Sequence, residues 1–351
     1  MSFLKNAWYC AAWASEITRT PLSRTLLDQK VVLYRKLDGG IAALVNVCPH
    51  RFAPLHQGKL HGDTLACPYH GLQFGTDGLC AHNPHGDVIP PALKIGSYLV
   101  VERHAIAWIW MGDANLATPA TIPDFHAHDD PNYKMVGGRI PIRGAYQLVS
   151  DNLLDLSHTQ YLHPMLTLPD DPDTVNEYDI LQDGDTITTV FDTKNAKPFG
   201  FVNFAWPNAP SRIDSFSGVR WQAPANMLLK VHFVSLDPAV PGEIRIWGAE
   251  LITPETNTTC HYFWSMARNF RQQDDEFGKQ MATIVEQVFT NEDGAMIAEI
   301  QKNMGDQADL MALRPVVLPT DKAAIRTRLI MKKLLKQEEA GVPARPATAG
   351  A

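Results

Sequence analysis

The chain is poor in cysteine, has no long apolar run and carries no excess of positive charge. Its five cysteines, Cys10, Cys48, Cys67, Cys80 and Cys260, are sparse and odd in number among 351 residues. That argues against a disulfide scaffold and for a reducing compartment. Lysine and arginine total 31 against 38 acidic residues, a net charge of −7. Neither nucleic acid nor an anionic membrane surface is therefore expected as a partner. No run of about 18 apolar residues occurs, so no membrane span is expected. Lys5, Asn6 and Glu16 interrupt any apolar signal core near the amino terminus, and the chain reads as soluble, unexported and cytoplasmic. No internal repeat is visible. No G-x-G-x-x-G follows a predicted strand, which excludes a dinucleotide site of that kind.

What is present reads as two domains. Short apolar runs at Lys30–Tyr34, Ile41–Val47, Tyr98–Glu102 and Ile106–Trp110 are separated by turn residues, which predicts a small antiparallel β domain over 1–113. A proline- and aspartate-bearing stretch, Asp113 to Asn132, reads as a linker. The following region, 114–337, mixes types. Asp151–His163 reads as a helix, and Thr186–Phe191, Ala225–Ser235 and Glu243–Ile252 as strands. Asp274–Met304 reads as a long helix, with Phe277, Met281, Ile284, Val285 and Val288 on its apolar face. Together these predict an α+β chain. Asn195–Gly218, aromatic and rich in proline, asparagine and serine, reads as an irregular, mobile cover. The small-residue tail, 338–351, reads as mobile.

Two segments carry ligand chemistry. Cys48-Pro49-His50 and, sixteen residues on, Cys67-Pro68-Tyr69-His70 each offer one thiolate and one imidazole. Zinc fingers group their cysteines in one segment and their histidines in another. Mixed segments suit a two-iron cluster with Cys₂ on one iron and His₂ on the other, the Rieske arrangement. Neither loop holds the additional cysteine of high-potential respiratory Rieske proteins, so the pattern is that of lower-potential domains that feed oxygenases. No ligand role falls to His56, His61, His82, His85 or His104; of these His82 and His85 are the candidates to touch the cluster's surroundings, with simple turn packing the favoured reading.

Downstream, Asp151-Asn152-Leu153-Leu154-Asp155-Leu156-Ser157-His158 and then His163 offer histidines and carboxylates for a 2-His-1-carboxylate iron site. Residues five apart lie about 140° apart around a regular helix, so both histidines cannot face one iron from an ideal helix. Either a π-like bulge intervenes or the helix ends before His163, and Pro164 favours an ending. Asp155 and His158, three apart, share a face, which suits Asp155 to orient the second nitrogen of His158. The carboxylate ligand must come from elsewhere. Asn291-Glu292-Asp293 in the long helix supplies candidates, and spacing does not choose between Glu292 and Asp293. The two sites belong together chemically, because activating O₂ at a mononuclear Fe(II) takes electrons singly and the cluster stores one.

These segments, with Asn6-Ala7-Trp8-Tyr9, His82-Asn83-Pro84-His85-Gly86, Trp108-Ile109-Trp110 and Ala267-Arg268-Asn269-Phe270, resemble the Rieske oxygenase family. Within it the resemblance is to the group containing vanillate O-demethylase and dicamba monooxygenase. It covers nearly the whole chain and implies an N-terminal all-β Rieske domain plus a C-terminal helix-grip (START-like) domain. It implies cluster ligands Cys48, His50, Cys67 and His70, and iron ligands His158, His163 and Asp293, with Asn152 near the iron. It also implies a head-to-tail homotrimer in which Asp155 bridges His158 to His70 of the partner subunit. The implied cofactors are one [2Fe–2S] cluster and one mononuclear Fe(II). NAD(P)H is used indirectly, through a separate reductase, with or without a ferredoxin.

The implied reaction is oxidative O-demethylation of a methoxylated aromatic acid or phenol. The alternatives are methyl or ring hydroxylation or N-demethylation by the same machinery, and, more distantly, electron transfer without catalysis. Glu250 shares a strand face with Ile244, Ile246, Gly248 and Ile252. It is either partly buried against a substrate hydroxyl or amine, or on a solvent face. Members that bind dicamba place a histidine and a tryptophan where this chain has Glu250 and Ile284. These two are therefore the candidate substrate residues, and dicamba itself is not the expected substrate.

Overall fold

The structure, a computed structural model, describes residues 3–341. It forms two compact units. One is Phe3–Ile122 with the turn Thr253–Thr256, and the other is Pro123–Ile252 with the chain from Asn257 onward.

The first unit is all β. Its main sheet has six antiparallel strands in the order Trp8–Trp13, Ile106–Trp110, Ser97–Arg103, Ile41–Val45, Gln29–Arg35 and Leu22–Leu26. The runs at Val31–Tyr34 and Ile106–Ile109 are unbroken apolar sequence because every residue in them is fully buried. A second sheet of four short strands runs Lys59–His61, Thr64–Ala66, Gln73–Phe74 and Cys80–His82. Val32, Tyr34, Leu44, Leu55, Leu65 and Phe74 pack into one core that also holds Cys48 and Cys67.

The second unit is α+β, with a seven-stranded antiparallel sheet. Its order is Lys134–Ile142, Cys260–Arg268, Glu243–Pro254, Asn226–Ser235, Ile213–Gln222, Thr186–Ala196 and Val175–Asp183. Its helices are α1 (Tyr146–Leu154), α2 (Thr159–Leu162), α3 (Gly200–Ala205), α4 (Asp275–Val288), α5 (Gly294–Met304) and α6 (Lys322–Glu339). The Asp274 carboxylate caps α4 by accepting from the Phe277 amide at 2.9 Å, and Asp275 and Glu276 favour the same helix end. Phe277 and Met281, one turn apart, seat α4 against Phe199, Val202, Phe233 and Ile244. Between α4 and α5 the helix widens into a π turn over Phe289–Asp293. Among the described residues no helix is long and apolar enough to cross a membrane.

Several readings change. Asp151–His163 is not one helix. α1 ends at Leu154, Asp155 is extended (φ −113°, ψ 95°), and a 3₁₀ turn at Leu156–His158 leads into the single turn of α2. The break is stabilised by the Asp155 side chain, which accepts from the Ser157 amide at 2.9 Å and starts a new turn. Asn195–Gly218 is not irregular throughout, since it contains α3 and the start of the strand Ile213–Gln222. That strand alternates buried Ile213, Ser215, Val219 and Trp221 with residues on its other face, a period-two pattern in which serine stands at a core position. The linker stretch holds three 3₁₀ turns, at Ala114–Leu116, Pro119–Thr121 and His126–His128. Of the tail, α6 continues to Glu339, and 342–351 lie outside the described residues.

Candidate metal centres

The two cysteine–histidine segments fold into twin loops. The Cys48 amide donates to the Ala53 carbonyl at 2.9 Å, and the Phe52 amide donates back to the Cys48 carbonyl at 2.9 Å. The Cys67 amide donates to the Leu72 carbonyl at 2.7 Å, and the Gly71 amide donates back to the Cys67 carbonyl at 3.0 Å. Both loops turn through a left-handed residue at the same position, Phe52 (φ 58°) and Gly71 (φ 72°). Both cysteines are buried, while His50 is exposed and His70 half-buried, with ring centroids 4.5 Å apart. The His85 Nε2–H donates to the His70 carbonyl at 2.8 Å and braces the second loop.

This arrangement fits a two-iron cluster. Burial pushes the Cys48 thiol up, and the adjacent Cys67 thiol adds to that. Two buried sulfurs in contact become thiolates readily only if a cation balances them. A single tetrahedral zinc would hold all four donors within about 4 Å of one another. Among the described residues the only group of three or more histidine, cysteine or carboxylate donors within 4.8 Å of one another lies elsewhere.

That group is His158, His163 and Asp293, whose ligand atoms lie within 4.8 Å of one another. The two Nε2 atoms are 3.3 Å apart, and each is 3.3 Å from an oxygen of Asp293. The outer partners settle the tautomers. His158 Nδ1 lies 2.6 Å from the Asp155 carbonyl oxygen, which can only accept, so Nδ1 carries the proton. His163 Nδ1 lies 2.6 Å from the Glu292 carboxylate and donates to it likewise. Both Nε2 lone pairs are thereby left to converge with a carboxylate on one point, which suits a metal cation. Burial raises Asp293, but where protons on the two Nε2 atoms stand in for a cation, hydrogen bonds from His158, His163 and Asn152 outweigh it and hold the carboxyl well below the usual range. Burial lowers His163, and the two flanking carboxylates raise it overall.

Local irregularities bring these residues together. The extended Asp155 resets the chain so that His158 and His163, on opposite ends of one short turn, meet. Asp293 is the last residue of the π turn, which displaces it from the α-helical register of α4. The turn closes with the Gly294 amide donating to the Phe289 carbonyl, and a Cβ on Gly294 would stand 2.4 Å from that oxygen. Asn152 Nδ2 donates to Asp293 Oδ1 at 2.9 Å. The role expected of the Asp155 side chain is taken, within this chain, by its backbone carbonyl.

The triad forms part of the wall of a cavity of about 500 Å³, ample for a small aromatic ligand. Its walls are largely apolar, with Val231, Phe233, Ile246, Met281 and Val285 among them. Glu250 also lines it and is only 2% exposed. The Tyr262 hydroxyl donates to Glu250 Oε2. Burial pushes the Glu250 carboxyl up to about 8, with the Tyr262 hydrogen bond opposing and the Asp293 charge adding. Ile284 does not line the cavity, whereas Met281, Val285 and Val288 do. The reason is rotational, since Ile284 stands about 100° from Val285 around the helix. Sequence reasoning missed Tyr262 and the part played by Glu292. The run Asn291-Glu292-Asp293-Gly294, two acids before a glycine in mid-helix, was the available signal.

Residues 7–93 match the Rieske [2Fe-2S] domain and residues 142–337 match the vanillate O-demethylase oxygenase C-terminal domain. The chain is 39% identical to the dicamba O-demethylase oxygenase component of Stenotrophomonas maltophilia, over 97% of this chain and all of that one. It is 37% identical to the chloroacetanilide N-alkylformylase oxygenase component of Rhizorhabdus wittichii, over 96% of this chain and 97% of that one. The crystal structure of dicamba monooxygenase bound to 3,6-dichlorosalicylic acid superposes with a TM-score of 0.89 at 36% identity, covering 97% and 100% of the two chains.

Proposed function

This chain belongs to the Rieske oxygenase family of the vanillate O-demethylase type, and from that premise we propose its reaction and the residues that serve it. It is the oxygenase component of a multicomponent monooxygenase that takes electrons from a separate NAD(P)H-dependent reductase, directly or through a ferredoxin. It removes a methyl group from a methoxylated aromatic acid or phenol. The methyl ether, O₂, NADH and a proton become the phenol, formaldehyde, water and NAD⁺.

The observation that carries this reading is the convergence of two Nε2 atoms and one carboxylate on the wall of an apolar cavity. When bound, the cluster supplies electrons singly and the mononuclear iron activates O₂. Cys48, His50, Cys67 and His70 would hold the cluster. His158, His163 and Asp293 would hold the iron and leave positions open on the cavity side. The Asp155 carbonyl and Glu292 fix the imidazole rings, and Asn152 fixes the carboxylate. The apolar walls position the ether and keep water away.

A homotrimer, in which the Asp155 carboxylate meets His70 of the partner subunit, completes the proposal. Its mass in solution by light scattering tests it. A second reading, N-dealkylation, draws support from the R. wittichii relative. The deciding experiment incubates reconstituted protein with a surrogate reductase, NADH, O₂ and methoxylated aromatics, and measures formaldehyde against NADH consumed. Near-stoichiometric formaldehyde supports demethylation. NADH and O₂ consumption without formaldehyde sinks it and sends the search to hydroxylation.

A further inference from the structure

Among the described residues that line the cavity there is no lysine or arginine, and its two histidines are those of the metal triad. Its carboxyl groups are Glu177, Glu250 and Asp293. Glu250 is the unusual one. It stands on the strand Glu243–Pro254, is almost wholly buried, and has Tyr262 as its one hydrogen-bond partner among the described residues. That partner engages Oε2. The other oxygen, Oε1, lies over Gly248, where a Cβ would come within 3.2 Å of it. Oε1 accepts from no described residue and is not among the side-chain oxygens sealed away without a partner, so on this cavity wall it is open to a hydrogen bond from a ligand.

An aryl carboxylate is the wrong ligand for that oxygen. Whether Glu250 is protonated or ionised, such a ligand would carry a negative charge into a largely apolar cavity with no lysine or arginine on its described lining to balance it, and would lose its hydration in doing so. Iron at the triad would balance Asp293 but would not place a cation at Glu250. A hydroxyl or amine N–H, by contrast, donates to Oε1 and carries no charge. At neutral pH the raised Glu250 is largely the neutral acid, and a hydroxyl can also accept from it.

We propose that this cavity selects uncharged aromatic ethers bearing an O–H or N–H donor and rejects aryl carboxylates, with Glu250 reading the donor. The inference rests on the demethylation reading for the ether, and on the cavity alone for the donor. It narrows the acid-or-phenol choice to the phenol or its aniline counterpart.

The test uses the full-length holoprotein, oxidised and without reductase, so that nothing turns over. Binding of 3-methoxyphenol, 3-methoxyaniline and 3-methoxybenzoate is measured by calorimetry at pH 7. The phenol or the aniline is expected to bind at least ~30-fold more tightly than the benzoate, about 2 kcal/mol. The stronger of the two names the donor. Glu250→Gln, which keeps an accepting oxygen, should retain most of the preference, and Glu250→Leu should abolish it. The visible spectrum of the cluster and the melting temperature show whether each variant has folded. Benzoate bound as tightly as the phenol, no probe bound below about 1 mM, or a preference unchanged in a folded Glu250→Leu variant each overturns the proposal. If the preference holds but no ether yields formaldehyde when reductase is added, the demethylation reading falls and the selectivity stands.

Discussion

The two candidate metal centres are built in opposite ways. The cluster loops lie within 23 residues, from Cys48 to His70, and repeat one hydrogen-bond pattern, the first after a strand of the six-stranded sheet and the second between two strands of the four-stranded sheet. The triad draws on segments 130 residues apart, His163 and Asp293, and both segments depart from regular helix at the point of contact. One site is local and duplicated, so its chemistry is written in spacing. The other exists only because a 3₁₀ turn and a π turn face each other, so its chemistry is written in irregularity. A lower-potential electron store needs a fixed, partly exposed cluster. A site that must admit a ligand and O₂ needs ligands on one side and open space on the other.

The largest expected effect tests whether the two sites stand apart. Asp293→Ala or His163→Ala should abolish turnover and iron binding while leaving the cluster's visible and paramagnetic spectra intact. Cys67→Ser should erase those spectra and turnover but leave one iron per chain by metal analysis. If removing the triad also bleaches the cluster, the two are not independent. Next come paired glycines. Gly294→Ala sets a methyl against the Phe289 carbonyl, so iron occupancy should fall at least ~10-fold as Asp293 is displaced, a loss of the size seen when a ligand's support is removed. Gly71→Ala should cost only about 1–2 kcal/mol in melting experiments and keep the cluster. Its twin position already holds Phe52 at φ 58°, and the new Cβ would meet Pro84 at 3.3 Å.

This contrast also explains what could be read in advance. The β character of the first unit, its cluster loops and the long helix after Asp274 follow from local pattern: apolar runs, turn residues, Cys-Pro repeats and a 3.6-residue stripe. His158 and His163 are visible as a pair, and a helix ending before His163 is one of the two solutions the sequence allows, whereas the break at Asp155, ahead of both histidines, is not legible there. The choice of Asp293 over Glu292 was not legible from spacing, because one extra residue in a π turn reverses which acid faces inward. The Asp155 side chain was assigned to His158 from a helix that does not continue there. Ile284 failed for a similar reason, since both Ile284 and Val285 fit an apolar stripe and only tertiary packing chooses which one meets the cavity. Whether Glu250 was buried depended on its neighbour strand supplying Tyr262, a long-range fact.

Smaller effects sharpen the description of the triad's surroundings. Glu250 holds a proton in the folded protein that the unfolded chain releases above its ordinary value of 4.5. Its contribution to stability is therefore full below pH 4.5 and lost as pH rises through about 8. Denaturant unfolding should show a decline of a few kcal/mol across that window, and Glu250→Gln should flatten it. A decline that persists in Glu250→Gln would assign the titration elsewhere. Glu292→Gln keeps a hydrogen-bond acceptor near His163 but removes the charge that orients it. Iron affinity should drop about 10- to 100-fold, with the cluster spectrum unchanged. An unaltered affinity would mean that the 2.6 Å contact does nothing for the metal.

The smallest expected change in stability concerns Asp155, which has two separable features. Its backbone carbonyl receives the His158 Nδ1–H, and its side chain caps the 3₁₀ turn at Ser157. Asparagine caps about as well as aspartate, whereas alanine costs about 1 kcal/mol. Asp155→Asn should therefore melt with the native protein and bind iron normally, and Asp155→Ala should lose that small increment. If turnover falls in both variants alike, the charge matters beyond its own loop, as the bridge to His70 of the partner subunit requires. If turnover falls only in Asp155→Ala, capping accounts for the residue entirely and the bridge is not needed. The carbonyl that holds His158 is common to all three proteins, so any difference among them belongs to the side chain alone.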